Sequence, residues 1–209
     1  MGEAVRKLGY HHGNARNALL LAASELLEDC GAAALSLRSV AERAGLSRQA
    51  PYNHFTDKEA MLAALVVSGF RRLADELRSE ADGKAGATAL EAASDSYIAF
   101  AQRTPAVFRL MFAHELVDIA KFPDATAASA DAFSALVAIV TTLCPPARVE
   151  DLSLAAWSLV HGYATLCNEA GIEAPEKRGE RARQFTNIIM ASAALTANAP
   201  IRCKGGDDE

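Results

Sequence analysis

Cysteines are few in this chain and strand-like alternation is scarce. Cys30, Cys144, Cys167 and Cys203 stand far apart with no C-x-x-C pair, a pattern that suits neither a zinc site nor a disulfide framework and points to a reducing cytosol. No basic stretch followed by an apolar run opens the sequence, so no signal peptide is expected. The longest charge-free runs carry Ser, Thr, Asn, His and Gly, which argues against a membrane span. Nothing alternates with period two for long and β-branched runs are few, which removes sheet architectures. An activated nucleophile, paired carboxylates and a metal cluster at useful spacing are also missing, so neither an enzyme nor a cofactor is expected. The adjacent His11 and His12 lack a third ligand, and no metal site is assigned to them.

What is present is an alanine-rich chain, 51% apolar, with apolar residues recurring at three and four. That is the period of helices, and the chain reads as all-α with about nine of them. The first spans about 14–29, with Asn14 as N-cap and Gly31 after its end. Ser36 caps the second, which Gly45 stops. An eight-residue third follows Ser47 as N-cap. The fourth opens at Thr56 or Asp57 and runs to about residue 80. Further helices are expected over about 88–103 with Thr88 as cap, 105–112 after Thr104-Pro105, 124–143, 149–169 and 175–198. Residues 113–123 are expected to loop around a short helical turn. The net charge of −5 hides an asymmetry: residues 1–60 hold seven Lys/Arg and seven Asp/Glu, so the whole deficit lies beyond them. A neutral N-terminal part binds nucleic acid if its cations share one face.

The third helix is the unusual one. "GLSRQAPYNHFTDKEAML" (45–62) carries a proline in its middle and sets Arg48, Gln49, Tyr52, Asn53 and His54 where a core helix would place leucines. A helix so short does not hold itself, because nucleation is costly; Leu46, Ala50 and Phe55 are its anchors onto the helices around it. With Gly45 at the turn, the second and third helices make a helix-turn-helix whose free face suits major-groove readout: Arg bonds guanine, Gln and Asn bond adenine, and Tyr and His reach bases or phosphates. Ser36 and Arg38 before it, and Thr56 and Lys58 after it, add hydroxyls, cations and helix N-termini, which attract phosphate. Pro51 is expected to remove about one helical hydrogen bond. The alternative reading, a solvated polar face, is weakened by these flanks.

"LSLRSVAERAGLSRQAPYNHFTDKEAMLAALV" strongly resembles the DNA-binding domain of the tetracycline-repressor-like (TetR) family of bacterial transcription regulators, and "YHHGNARNALLLAASELLEDCG" resembles its first helix. The match covers about residues 10–66, and Tyr52, His54, Phe55, Lys58 and Glu59 fall in the family's Y-x-H-F-x-x-K-E pattern. The resemblance implies that Arg38, Arg48, Gln49 and Asn53 face bases. It implies that Ser47, Tyr52, His54, Thr56 and Lys58 serve mainly phosphates, and that Tyr10, His11 and Asn14 touch the backbone ahead of the first helix. Ser36 reads as a cap alone. "WSLVHGYATL" (157–166) is similar to the Trp-His-Gly signature of one C-terminal subgroup.

Two helices near the C-terminus point to a second copy of the chain. Leu152–Asn168 is free of formal charge unless His161 is protonated, and Thr186–Ile201 is charge-free. Helices apolar nearly all round need cover on all sides, which a partner chain supplies. The family resemblance likewise implies a four-helix dimer bundle from the eighth and ninth helices, with Ala155, Ser158 and Gly162 allowing close approach. Tyr97, Phe100, Phe108, Met111, Phe112, Phe133, Trp157 and His161 form an aromatic set that reads as core or, as the resemblance implies, as the lining of an apolar effector cavity; His114 and Glu115 are near it in sequence.

The expected organisation is therefore a helix-turn-helix DNA-binding domain over 1–58, a ligand-binding and dimerisation domain over 59–200, and a disordered tail over 201–209. The expected protein is a cytoplasmic homodimer that binds a palindromic double-stranded DNA operator and is released by a small hydrophobic ligand, with the fourth helix as lever. An activator, or an effector-independent DNA-binding protein of the same fold, is the alternative.

Overall fold

The computed structural model describes residues 12–172 and 175–197, with side chains from Ala15 to Ile172 and from Glu176 to Ala194. Tyr10, His11, the Asn14 side chain and the 201–209 tail lie outside these. The described residues form eight α-helices and no strand: α1 His12–Ala34, α2 Leu37–Arg43, α3 Lys58–Ala81, α4 Gly86–Arg103, α5 Pro105–Phe112, α6 Pro123–Thr141, α7 Val149–Ala170 and α8 Arg178–Ala197. Single 3-10 turns occur at Ala50–Asn53, Ile119–Lys121, Pro146–Arg148 and Pro175–Lys177.

The expected third helix is one of these turns, and the count of nine falls to eight for that reason. Pro51 has no N–H to give to the Ser47 carbonyl, which instead accepts from Ala50 N at 2.9 Å. Tyr52 N reaches Gln49 O at 3.2 Å, again three residues back, and the segment tightens into 3-10 geometry. The loss is thus a change of helix type and not one missing bond. Ser47 is not the N-cap either; Gln49 precedes the turn, and no side chain caps it.

Other ends follow local chemistry more closely. Ser36 and Ser39 form a reciprocal capping box at α2, which satisfies two otherwise orphaned donors. At the far end of α2, Gly45 adopts φ +65°, Gly45 N donates to Glu42 O, and Leu46 N donates to Ala41 O at 2.9 Å. This is the Schellman arrangement, and a left-handed residue at its centre favours glycine. Asp57, not Thr56, caps α3, accepting from Ala60 N at 2.8 Å. Two assignments are corrected. The first helix begins at His12, so Asn14 lies inside it; Thr88 lies in the first turn of α4, where its hydroxyl donates to Ala85 O. The non-helical Gly31, at φ 75° and ψ 170°, breaks α1 near its end.

The chain divides into two compact units. One takes the chain up to Leu73 together with Arg103–Ala132; the other takes Ala74–Gln102 together with the chain from Phe133 onward. The partition expected at residue 58, drawn by role, does not coincide with this packing boundary. In the first unit, α2 is tied to α1 by Arg43, whose guanidinium meets Asp29 at 2.8 Å. Helices α3 and α5 approach through Gly69, where a β-carbon would stand 2.7 Å from Met111 Sδ and 3.2 Å from Val107 Cγ1. Phe70, Phe112 and Phe108 continue the contact edge to face. In the second unit, Asn168 Nδ2 donates to the Ala101 carbonyl at 3.0 Å, joining α7 to α4, and Arg178 pairs with Asp95 at 2.7 Å, joining α8 to α4. Helix α6 is long and apolar enough to cross a membrane by length and composition, yet Ala125, Ala132, Leu136 and Val140 along it are buried within the chain.

The α3–α5 contact yields a prediction. Gly69→Val places branched carbons against Met111 and Val107, and overpacking of this kind costs about 1–3 kcal/mol. Chemical denaturation is expected to show a lower midpoint with an unchanged slope.

Candidate nucleic-acid interface and effector region

The turn at Ala50–Asn53 is held from beneath. Ala50 and Pro51 are buried and Phe55 is only 4% exposed. The Arg16 guanidinium lies 5.6 Å from the centre of the Phe55 ring, a cation–π contact from α1. His54 N and Phe55 N both donate to Pro51 O, at 2.9 and 2.8 Å. With those residues committed inward, Ser47, Arg48, Gln49, Tyr52 and Asn53 are exposed, Tyr52 by 54%. Arg38 and Thr56 are exposed as well, while His54 and Lys58 are half-buried. Lys58 Nζ donates to the Ala33 carbonyl at 3.4 Å. The expected DNA-facing residues that can be described therefore lie on α2, the 3-10 turn, the connecting segments on either side of that turn and the start of α3, all in the first unit.

Beside Lys58 opens a cleft of about 590 Å³. His114 and Glu115 line it with Leu62 and Leu116, and Lys121 at its rim pairs with Glu59 at 3.4 Å. The two residues whose direction the sequence left open thus face the first unit.

The aromatic set falls into two groups. Phe108, Met111 and Phe112 belong to the α3–α5 packing of the first unit. Tyr97, Phe133, Trp157 and His161 come together in the second, where Phe100 is fully buried. There, Trp157 Nε1 donates to the Tyr97 oxygen at 3.3 Å, and the Tyr97 oxygen lies 2.9 Å from His161 Nδ1. Burial pushes the Tyr97 phenol well above the ordinary tyrosine range, the Trp157 hydrogen bond opposing it. Burial also lowers the His161 imidazole below its usual 6.5, so the ring is neutral near pH 7. The Tyr97 oxygen thus joins the indole and the imidazole in one hydrogen-bonded chain. Phe133 packs on Trp157 with ring centres 5.4 Å apart.

Sequence reasoning passed over Arg16 and Glu28. Glu28 Oε2 accepts from Ala106 N at 3.0 Å and Oε1 from Val107 N at 3.1 Å. Partners 78 and 79 residues away leave no local signal.

A short helix, a left-handed glycine turn and a clamped polar turn with outward Arg, Gln, Tyr and Asn define a helix-turn-helix DNA-binding protein. Comparison narrows the class. The profile of bacterial regulatory proteins of the tetR family matches residues 19–65, and that of the tetracyclin repressor-like C-terminal domain matches residues 90–195, just over half of the chain. The chain belongs to the tetracycline-repressor-like family of bacterial transcription regulators, whose members act on DNA and are not enzymes. It is 35% identical over 109 residues to the HTH-type transcriptional activator FasR of Mycolicibacterium smegmatis, a match covering 49% of this chain and 47% of that one. A Rhodococcus sp. RHA1 protein of unknown function is 30% identical in structural alignment, covering 90% of this chain and all of that one with a TM-score of 0.78. FadR of Bacillus subtilis, solved in complex with stearoyl-CoA, shares the fold: TM-score 0.70, 12% identity, 84% of this chain and 97% of that one.

The buried imidazole carries a pH signature. Its folded-state pKa lies below 6.5, so on acidification the unfolded chain takes up the proton first. Its contribution is whole above about pH 6.5 and is lost as pH falls below that. His161→Gln is expected to be less stable at pH 7.5 and to show a flatter stability profile between about pH 7.5 and 5, measured by denaturant midpoints across that range.

Proposed function

We infer that this protein is a cytoplasmic homodimeric regulator that binds a palindromic operator, represses transcription, and is released by a small hydrophobic ligand. The observation that carries the DNA-reading part is the division of labour in residues 47–55: Ala50, Pro51 and Phe55 are buried, while Ser47, Arg48, Gln49, Tyr52 and Asn53 face out. Arg38, Arg48, Gln49 and Asn53 take the base edges, and Ser47, Tyr52, His54, Thr56 and Lys58 take phosphates, with Tyr10, His11 and Asn14 ahead of them. The dimer uses α7 and α8. Support comes from the apolar residues these helices leave exposed, Leu154 at 46%, Leu166 at 51% and Ile188 at 53%, and from the open space over Gly162. Two heads then meet half-sites about one DNA turn apart.

The effector is read as hydrophobic because of the Tyr97, Phe100, Phe133, Trp157 and His161 cluster. A long-chain acyl-CoA is the first compound to test, since FadR of Bacillus subtilis was solved with stearoyl-CoA. An activator is the second reading, favoured by the relation to FasR, which is named an activator. Release of DNA by a ligand requires a coupling of about 1–3 kcal/mol between the sites.

The experiment is selection of bound duplexes from a random-sequence pool, then footprinting of the gene's own upstream region and titration with stearoyl-CoA. Recovery of a pseudo-palindrome and its release by the ligand are expected. Failure to enrich any sequence overturns the reading, and tighter binding with transcriptional stimulation favours the activator. Arg48→Ala and Gln49→Ala are each expected to cost about 1–3 kcal/mol and relax preference at one position. Lys58→Ala is expected to weaken all duplexes alike and reduce the salt slope by about one. Equal loss for Arg48→Ala on every operator variant would overturn its base-reading role.

A further inference from the structure

We propose that Glu28 is a positioning residue for DNA binding: its carboxylate locks α5 onto α1, so that α5 is a working part of the DNA-reading head. The proposal rests on the DNA-binding role and assigns a determinant outside the reading face.

Helix α5 begins at Pro105, and Thr104 in front of it makes no side-chain capping bond to the first turn. The cap comes instead from α1. The two Glu28 oxygens accept from the first two N–H groups of α5 that proline leaves available, Ala106 and Val107. An anionic acceptor at a helix N-terminus combines charge-assisted hydrogen bonds with a favourable dipole. On its other flank α5 is pressed against α3 at Gly69, where no β-carbon fits without displacing Met111. Helix α5 is therefore held between α1, which lies behind the reading turn, and α3, which follows it. Helix α1 supplies Arg16 to the Phe55 ring behind that turn, and α3 begins at Lys58 immediately after it. A shift of α5 is transmitted to both supports of the turn. Nothing in this arrangement requires Glu28 to touch DNA.

The test uses the full-length protein and a duplex selected by the wild type, at a temperature where circular dichroism shows every variant folded. Three proteins are compared: Glu28→Ala, Thr104→Asp, and the double variant, in which the carboxylate introduced at position 104 supplies a local cap to α5 without the link to α1. Electrostatics makes the sign informative, since deleting a carboxylate alone tightens binding to a polyanion. Glu28→Ala is expected instead to weaken operator binding roughly three- to tenfold. In the double variant, amide exchange at Ala106 and Val107 reports whether the introduced carboxylate caps α5, and the weakened operator binding is expected to persist when it does. Unchanged or tighter binding by Glu28→Ala overturns the proposal. So does full recovery of operator affinity in the capped double variant, which would reduce Glu28 to a helix cap. A wild type that selects no duplex would fail the DNA-binding reading itself, a different result from either.

Discussion

The missing N–H of Pro51 governs the centre of this molecule. Without it the reading segment is not an α-helix, and a single 3-10 turn has no cooperative stability of its own. The turn persists because it packs against α1 and α2, with Ala50, Pro51 and Phe55 buried. The same residues that break the helix thus fasten it. The polar side chains are left outside because Ala50, Pro51 and Phe55 occupy the inward positions, and DNA-reading chemistry follows from that division.

Much of the scaffold was legible because it is written locally. Ser36 announces the start of α2, Gly45 its end, and Gly171 the end of α7 at φ +58°. Each signal depends on one residue's conformational range or one hydroxyl's reach. The 3-10 turn was half legible: Pro51 was visible, but counting it as one lost bond missed that a short segment changes type when its middle donor is gone. Asn14 and Thr88 misled for another reason, since residues that favour caps are also tolerated in first turns when the chain ahead can continue the helix.

The site was legible by composition and less so by arrangement. Arg48, Gln49, Tyr52 and Asn53 could be placed outward because Ala50 and Pro51 between them are apolar. The aromatics gave no such alternation. Phe108, Met111 and Phe112 look like Tyr97 and Phe100 in sequence, yet they pack around Gly69 with Phe70, while Tyr97 joins Trp157 and His161. Only the partner across space distinguishes them. Glu28 is the extreme case: an ordinary acidic residue on a helix becomes a cap for another helix far along the chain.

The reading turn also constrains how the sequence can change in length. Inward and outward residues change over within a few positions there: Arg48 and Gln49 are exposed, Ala50 and Pro51 buried, Tyr52 and Asn53 exposed again, and Phe55 buried. One residue inserted between Gly45 and Phe55 would put this inward and outward order out of step with the helices beneath it and carry apolar groups into water. Spacing in this stretch is therefore as restrictive as chemistry, and exchanging side chains is a gentler route to a new operator preference than lengthening or shortening the loop.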